Sequence, residues 1–240
     1  TTLYKVKIDG MEKEQVEVLN ISTPGASDRL RKENRGDFFK KFVHPDYDVI
    51  KLGPNGSARD RVTGKIKFYD NAEGGSTNDV KFRNIIKSIF SEDWSDKNNL
   101  PVDIMILAGL SGGNGSGTFE EIAVHAREAC RTAGASAVRV FGYLFLPDTM
   151  EAIFRNNQDD LNAIYSNGYA ALKELESYMS IPASPGRSEK FFSRDGVTIE
   201  CNNDKRLFDY PVLISGTYDE SKSMMAESII NLSIESDATF

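Results

Sequence analysis

The residues with the clearest chemistry lie in positions 102–121, VDIMILAGLSGGNGSGTFEE, where Gly109, Gly112, Gly113, Gly115 and Gly117 crowd together. Glycine tolerates positive φ and lets another group approach the main chain, so such a run forms a concave loop with N–H groups turned inward. Ser111, Ser116 and Thr118 add hydroxyls and Asn114 an amide. The helical pattern that follows brings the positive end of a helix dipole to the same place. That combination binds an anion, and nucleotide phosphates are the natural candidates. A Walker loop is excluded because Gly117 is followed by Thr118 and the loop holds no lysine. A dinucleotide fingerprint fits Gly112, Gly115 and Gly117 only with the wrong spacing, and no acidic residue ends the next strand where a ribose partner is needed. The competing reading is a glycine-rich turn that merely joins a strand to a helix.

The neighbouring sequence supplies the elements that position this loop. Residues 102–108 are an apolar run of strand length. Beyond the glycines, Phe119, Ile122, Ala123, Ala126, Ala129 and Cys130 recur at helical spacing, with Glu120, Glu121, His125, Arg127, Glu128 and Arg131 off the stripe. Gly134 ends that helix, and 137–146 is the next buried strand, so the order is a βαβ unit with an expected right-handed crossover. The loop then falls at the carboxyl end of a strand, where open α/β sheets bind ligands. Upstream, 3–8 and 15–21 alternate around Asp9-Gly10, a hairpin whose second strand is expected to enter the sheet. Residues 28–42 read as a charged surface helix, or two short ones broken at Gly36, and 47–52 as a strand closed by a turn-rich loop, GPNGS at 53–57, with Arg59 and Arg61 just beyond. Residues 62–69 read as extended. Val80, Phe82, Ile85, Ile86, Ile89 and Phe90 predict a helix lying on the sheet, capped by 77–79. After Pro147 one long helical pattern runs to about Met179. A hairpin turning at 193–196, a strand at 210–215 and a last helix through Met224, Met225, Ile229, Ile230 and Leu232 complete the reading.

Composition narrows the function classes. With 240 residues, 40% apolar and 27% charged, the chain has ordinary globular composition and length for one substantial α/β core. A net charge of -7 argues against a phosphate-backbone binder of nucleic acid. Two cysteines, Cys130 and Cys201, form no CxxC and no disulfide framework, which favours a cytoplasmic setting. His44 and His125 have no partners at metal-ligand spacing, so no protein-bound metal is expected. No signal peptide or apolar run of membrane length is present.

The stretch Gly109-Leu110-Ser111-Gly112-Gly113-Asn114-Gly115-Ser116-Gly117 resembles the signature of the tubulin/FtsZ superfamily, in which a strand ends in S-L-G-G-G-T-G-S-G and a helix follows. Within its core, Ser111 stands where glycine is usual and Asn114 where threonine is usual; both are small and polar, so the loop keeps its capacity for phosphate. The resemblance, to a divergent prokaryotic tubulin-like group, extends in order from about Gln15 to Leu232, but only the glycine signature is specific. It implies a three-layer Rossmann-like fold, a mostly parallel sheet with helices on both faces, forming a single nucleotide-binding domain over residues 1–240.

The same resemblance implies a filament-forming GTPase that binds GTP or GDP with Mg2+ bridging the phosphates. Residues 109–118 would hold the α- and β-phosphates, Gly56 and Ser57 in the earlier loop would face the terminal phosphate with Arg59 or Arg61 nearby, and Asp148 and Glu151 would reach the ribose. Gly216 and Thr217 stand where an asparagine often reads the base, which leaves base identity open. The family's first glycine loop, hydrolysis loop and second domain have no counterpart in the 240 residues, so a fragment of a longer chain or a reduced relative is expected. Hydrolysis would then occur only on assembly between subunits, with no catalytic residue assigned here. Two alternatives stand beside it: a tubulin-fold scaffold without turnover, and another phosphate-ligand enzyme on the same kind of sheet. Replacing Gly115 by a bulky residue is expected to abolish binding in both ligand-binding cases.

Overall fold

The computed structural model describes residues 2–8, 11–18, 59–69, 78–93, 101–135, 137–181, 189–192, 198–201 and 206–237. Its centre is a parallel sheet of β3 (Pro101–Gly109), β4 (Ala137–Phe145) and β7 (Tyr210–Ile214), in the order β3-β4-β7. Gly109 pairs with Phe145, and Phe145 with Ile214, so all three strands end level at their carboxyl edge.

Alternation along each strand sends side chains to two faces, and each face meets a helix. Ile106, Ala108, Val140 and Leu144 pack against Phe119, Ala123 and Val124 of α3 (Gly113–Thr132). On the opposite face Phe141, Tyr143 and Ile214 meet Met225 of α6 (Tyr218–Asp237), and Tyr143 Oη lies 3.2 Å from Ser228 Oγ. The chain is therefore α/β with helices on both faces of a parallel sheet. At the amino edge, Arg127 donates to Val138 O at 3.0 Å and to Asp209 Oδ2 at 2.9 Å, while the Val140 N–H donates to the same carboxylate oxygen at 2.7 Å. These bonds lock the register of β7 onto β4.

Several expectations change. Residues 62–69 are not extended but form helix α1 (Arg61–Tyr69). Asp60 dictates this, since its carboxylate accepts from Val62 N at 3.0 Å and Thr63 N at 3.4 Å and from Thr63 Oγ1 at 2.9 Å, an N-cap that the alternating pattern hides. Helix α2 (Asn78–Asp93) lies against α3 and α1 rather than on the sheet, because α3 already covers that face. Asn78 does not cap its own helix; its Nδ2 donates to Lys67 O at the end of α1, 2.9 Å away. The long pattern after Pro147 is two helices, α4 (Asp148–Phe154) and α5 (Gln158–Met179). Asn157 restarts the chain by accepting from Asp159 N at 3.1 Å and Asp160 N at 3.3 Å. The amino-terminal hairpin is present as β1 (Thr2–Ile8) and β2 (Met11–Val18), yet among the described residues β2 pairs only with β1 and joins no larger sheet. A second hairpin joins β5 (Glu189–Phe192) to β6 (Thr198–Cys201). The expected elements at 28–42 and 47–52, and the turn at 193–196, lie outside the described residues.

Glu120, Glu121, His125 and Arg127, off the apolar stripe of α3, are buried because α3 is enclosed by the sheet, α1, α2 and α5.

Candidate functional site

The glycine turn leaves the sheet with its first residue still hooked to it, as Leu110 N donates to Phe145 O at 2.9 Å. Gly112 is the N-cap of α3 in an extended conformation, φ -92° and ψ 167°, and no side chain caps that end. The first ladder bond runs from Ser116 N to Gly112 O at 3.3 Å, leaving the preceding N–H groups of the turn outside the helical ladder. Ser116 Oγ donates to Gly112 O and Thr118 Oγ1 to Asn114 O at 2.7 Å, so both hydroxyls are used within the helix. Ser111 differs, being buried with an Oγ that has no hydrogen-bond partner among the described residues.

The glycines fall into two groups according to what a side chain would meet. A Cβ on Gly109 or Gly112 meets nothing within 4 Å among the described residues. A Cβ on Gly115 would lie 2.4 Å from Gly109 O, and one on Gly117 2.3 Å from Arg61 O. Gly64 of α1 completes the packed group, its Cβ position being 2.1 Å from Gly113 O. The turn thus has an open side at Gly109 and Gly112, with Asn114 exposed beside it, and a closed side where three backbones touch. A turn that combines main-chain N–H groups outside the helical ladder, a helix N-terminus and a buried, unpartnered hydroxyl has the chemistry of an anion cradle.

The wall of the turn comes from two other segments. Arg61 Nε and Nη2 donate to Ser116 O at 3.0 and 2.8 Å, and its guanidinium also grips Glu174 of α5. Asn167 Nδ2 donates to Ser111 O at 2.9 Å and to Arg59 O at 2.7 Å. Arg59 has φ 63°, forms an ion pair with Asp160 and stacks over Phe154 at 5.5 Å. Of the two arginines expected near a phosphate, Arg61 is committed to the back of α3, whereas Arg59 sits within two hydrogen-bond lengths of the turn through Asn167. Gly56 and Ser57 lie outside the described residues.

Behind the turn, Lys65 Nζ reaches Glu121 Oε1 at 2.9 Å and Glu120 Oε2 at 3.3 Å. Burial drives the Glu120 carboxyl well above the usual carboxylate range, opposed by Lys65 and aided by Glu121 and Glu174. Glu174 shifts the other way: burial is outweighed by hydrogen bonds from Arg61 and Glu120, so its carboxyl is held below that range. A proton on Glu120 facing the Glu174 carboxylate accounts for both directions.

Asp148 and Glu151 are at the carboxyl edge of the sheet, on α4 rather than in a loop. Asp148 accepts from Ser215 Oγ at 2.5 Å and Gly216 N at 2.9 Å; burial opposes its charge, but these donors prevail and hold its carboxyl below the usual range. Glu151 accepts from Tyr165 Oη at 2.7 Å. Burial pushes the Cys130 and Cys201 thiols up to about 11, which removes thiolate chemistry near neutral pH. Among the described residues no group of His, Cys, Asp and Glu is placed to hold a metal ion, and no helix is long and apolar enough to cross a membrane.

Asp160, Asn167 and Glu174 were not assigned from sequence, although their equal spacing of seven along α5 is a signal for one helical face. Searches of curated proteins and of solved structures return no match. A family model described as tubulin-like matches residues 10–231. That span covers β2, the glycine turn and the parallel sheet of β3, β4 and β7, and the chain belongs to the tubulin-like family.

Proposed function

We propose that this chain is the nucleotide-binding domain of a filament-forming, tubulin-like GTPase. Residues 109–118 hold the α- and β-phosphates of GTP or GDP. The observation that carries the reading is the open side of the turn, where Gly109 and Gly112 leave room for an anion against the start of α3 and beside the unpartnered Ser111 hydroxyl. Those features fit a diphosphate, since its oxygens accept from main-chain N–H and hydroxyl donors and complement the helix dipole. Mg2+ bound with the nucleotide would supply charge neutralisation at its phosphates. Gly56, Ser57 and Arg59 face the terminal phosphate, and Asp148 and Glu151 lie on the ribose side.

In this reading the chain supplies the grip, and hydrolysis needs acidic groups brought by a neighbouring subunit in a cytoplasmic assembly. Calorimetric titration of the chain with GTP, GDP and ATP in Mg2+ tests it. Heat with both guanine nucleotides and none with ATP is expected. Absence of binding to all three moves the chain to a scaffold of the same fold, and selectivity for a non-guanine ligand moves it to a different phosphate-ligand enzyme.

A further inference from the structure

Helix α5 carries polar residues at 160, 167 and 174, and seven residues are close to two full turns, so the three share one face. Each is bonded to the segment 59–61 or to what that segment holds. Asp160 pairs with the Arg59 side chain, Asn167 bridges Arg59 O and Ser111 O, and Glu174 takes the Arg61 guanidinium that also holds Ser116 O. The helix itself is fixed at mid-length by Gly168, where a Cβ would lie 2.1 Å from Pro147 Cγ. We propose that this stripe is a clamp whose central member, Asn167, is a positioning residue that fixes the glycine turn for phosphate.

The geometry leaves Asn167 little other role. One amide nitrogen donates to two carbonyls from segments more than fifty residues apart in sequence, and one of them belongs to the residue before the N-cap of α3. Holding Ser111 O toward Asn167 turns the Gly112 N–H, in the same planar trans peptide, the opposite way. Arg61 performs the matching task one turn later by anchoring Ser116 O. Asn167 does not touch the ligand, and its contribution is to preorganise donors that do. The clamp rests on the phosphate-site reading for its purpose and on geometry alone for its existence.

Two measurements on the full chain separate these. In the absence of nucleotide, hydrogen exchange at the Ser116, Gly117 and Thr118 amides, which close the first turn of α3, is expected to rise about tenfold in Asn167→Ala, the equivalent of one lost hydrogen bond. Arg139→Ala serves as the control, because it breaks the bidentate pair with Asp103 at the other edge of the sheet and should leave these amides unchanged. The affinity for GDP is expected to fall about tenfold in Asn167→Ala, with no change in Arg139→Ala. If Asn167→Ala does not fold, Glu174→Gln, which keeps shape but weakens the hold on Arg61, should shift both readouts the same way by about threefold. Unchanged exchange at the three amides overturns the clamp. Unchanged GDP affinity despite faster exchange overturns its role in positioning the site. A parent chain that binds neither GDP nor inorganic diphosphate refutes the phosphate reading instead, while the exchange result still decides whether the clamp exists.

Discussion

The two sides of the glycine turn use the same amino acid for opposite purposes. On the closed side Gly64, Gly115 and Gly117 are present because backbones from α1, α3 and the end of β3 meet where no Cβ fits. On the open side Gly109 and Gly112 have room for a side chain and ordinary packing does not require glycine there. Gly112 even has φ and ψ that any residue can adopt. Packing therefore accounts for one group, and the proposed phosphate site would account for the other.

The largest effect should come from the closed side. Gly115→Ala puts a Cβ 2.4 Å from Gly109 O and Gly117→Ala one 2.3 Å from Arg61 O, both against backbone that cannot rotate away. Each is expected to cost about 3 kcal/mol of folding stability, measured by chemical denaturation. Gly115 is consequently a poor probe of ligand binding, contrary to its sequence-based reading, since its loss of binding would be a loss of fold. Gly112→Ala should do the reverse, leaving stability within about 0.5 kcal/mol and lowering GDP affinity about tenfold. If Gly112→Ala lowers stability as much as Gly115→Ala, the division between the two sides is wrong.

How much of this could be read from the chain follows from which interactions are local. The turn, β3, β4 and β7 are legible because an apolar run punctuated by glycine is a short-range signal. Helix α1 was not, since VTGKIKFY alternates like a strand and its helical state depends on the Asp60 cap and on burial against Gly113 and Gly117. Glu120 and Glu121 lie off the apolar stripe, and their burial is not legible locally because their charge partner Lys65 comes from another helix. Asn167 was the hardest to foresee, as its two acceptors are main-chain carbonyls that no side-chain pattern announces. Local grammar marks the candidate turn, and tertiary contacts decide which residues hold it in shape.

The buried charges behind the closed side give a prediction of intermediate size. Glu120 holds its proton in the folded state above the pH at which the unfolded chain releases it, because burial disfavours its charge. The folded state therefore binds more protons at this group, and its contribution to stability is present below the usual carboxylate range and declines as pH rises toward the folded value. Glu120→Gln mimics the neutral form at every pH. The variant should gain stability relative to the parent as pH rises from 4 through neutrality; a constant difference would show that Glu120 is charged in the fold.

The smallest effect is expected at Asp148, at the exposed rim. Its folded carboxyl lies below the usual range, burial being outweighed by Ser215 Oγ and Gly216 N, so its contribution is present above that range and lost as pH falls through the folded value. Gly216 has φ 115°, a conformation that favours glycine, and the bond from its N–H to Asp148 helps hold the turn after β7 in that shape. Asp148→Asn keeps one acceptor oxygen but removes the charge, and solvent screening limits the cost to about 0.5 kcal/mol at neutral pH, vanishing in acid. A ribose partner would show a second behaviour, a loss of GDP affinity in Asp148→Asn larger than this stability change with inorganic diphosphate affinity unaltered. Equal losses for GDP and diphosphate would reassign Asp148 from a ligand contact to a brace between the ends of β4 and β7.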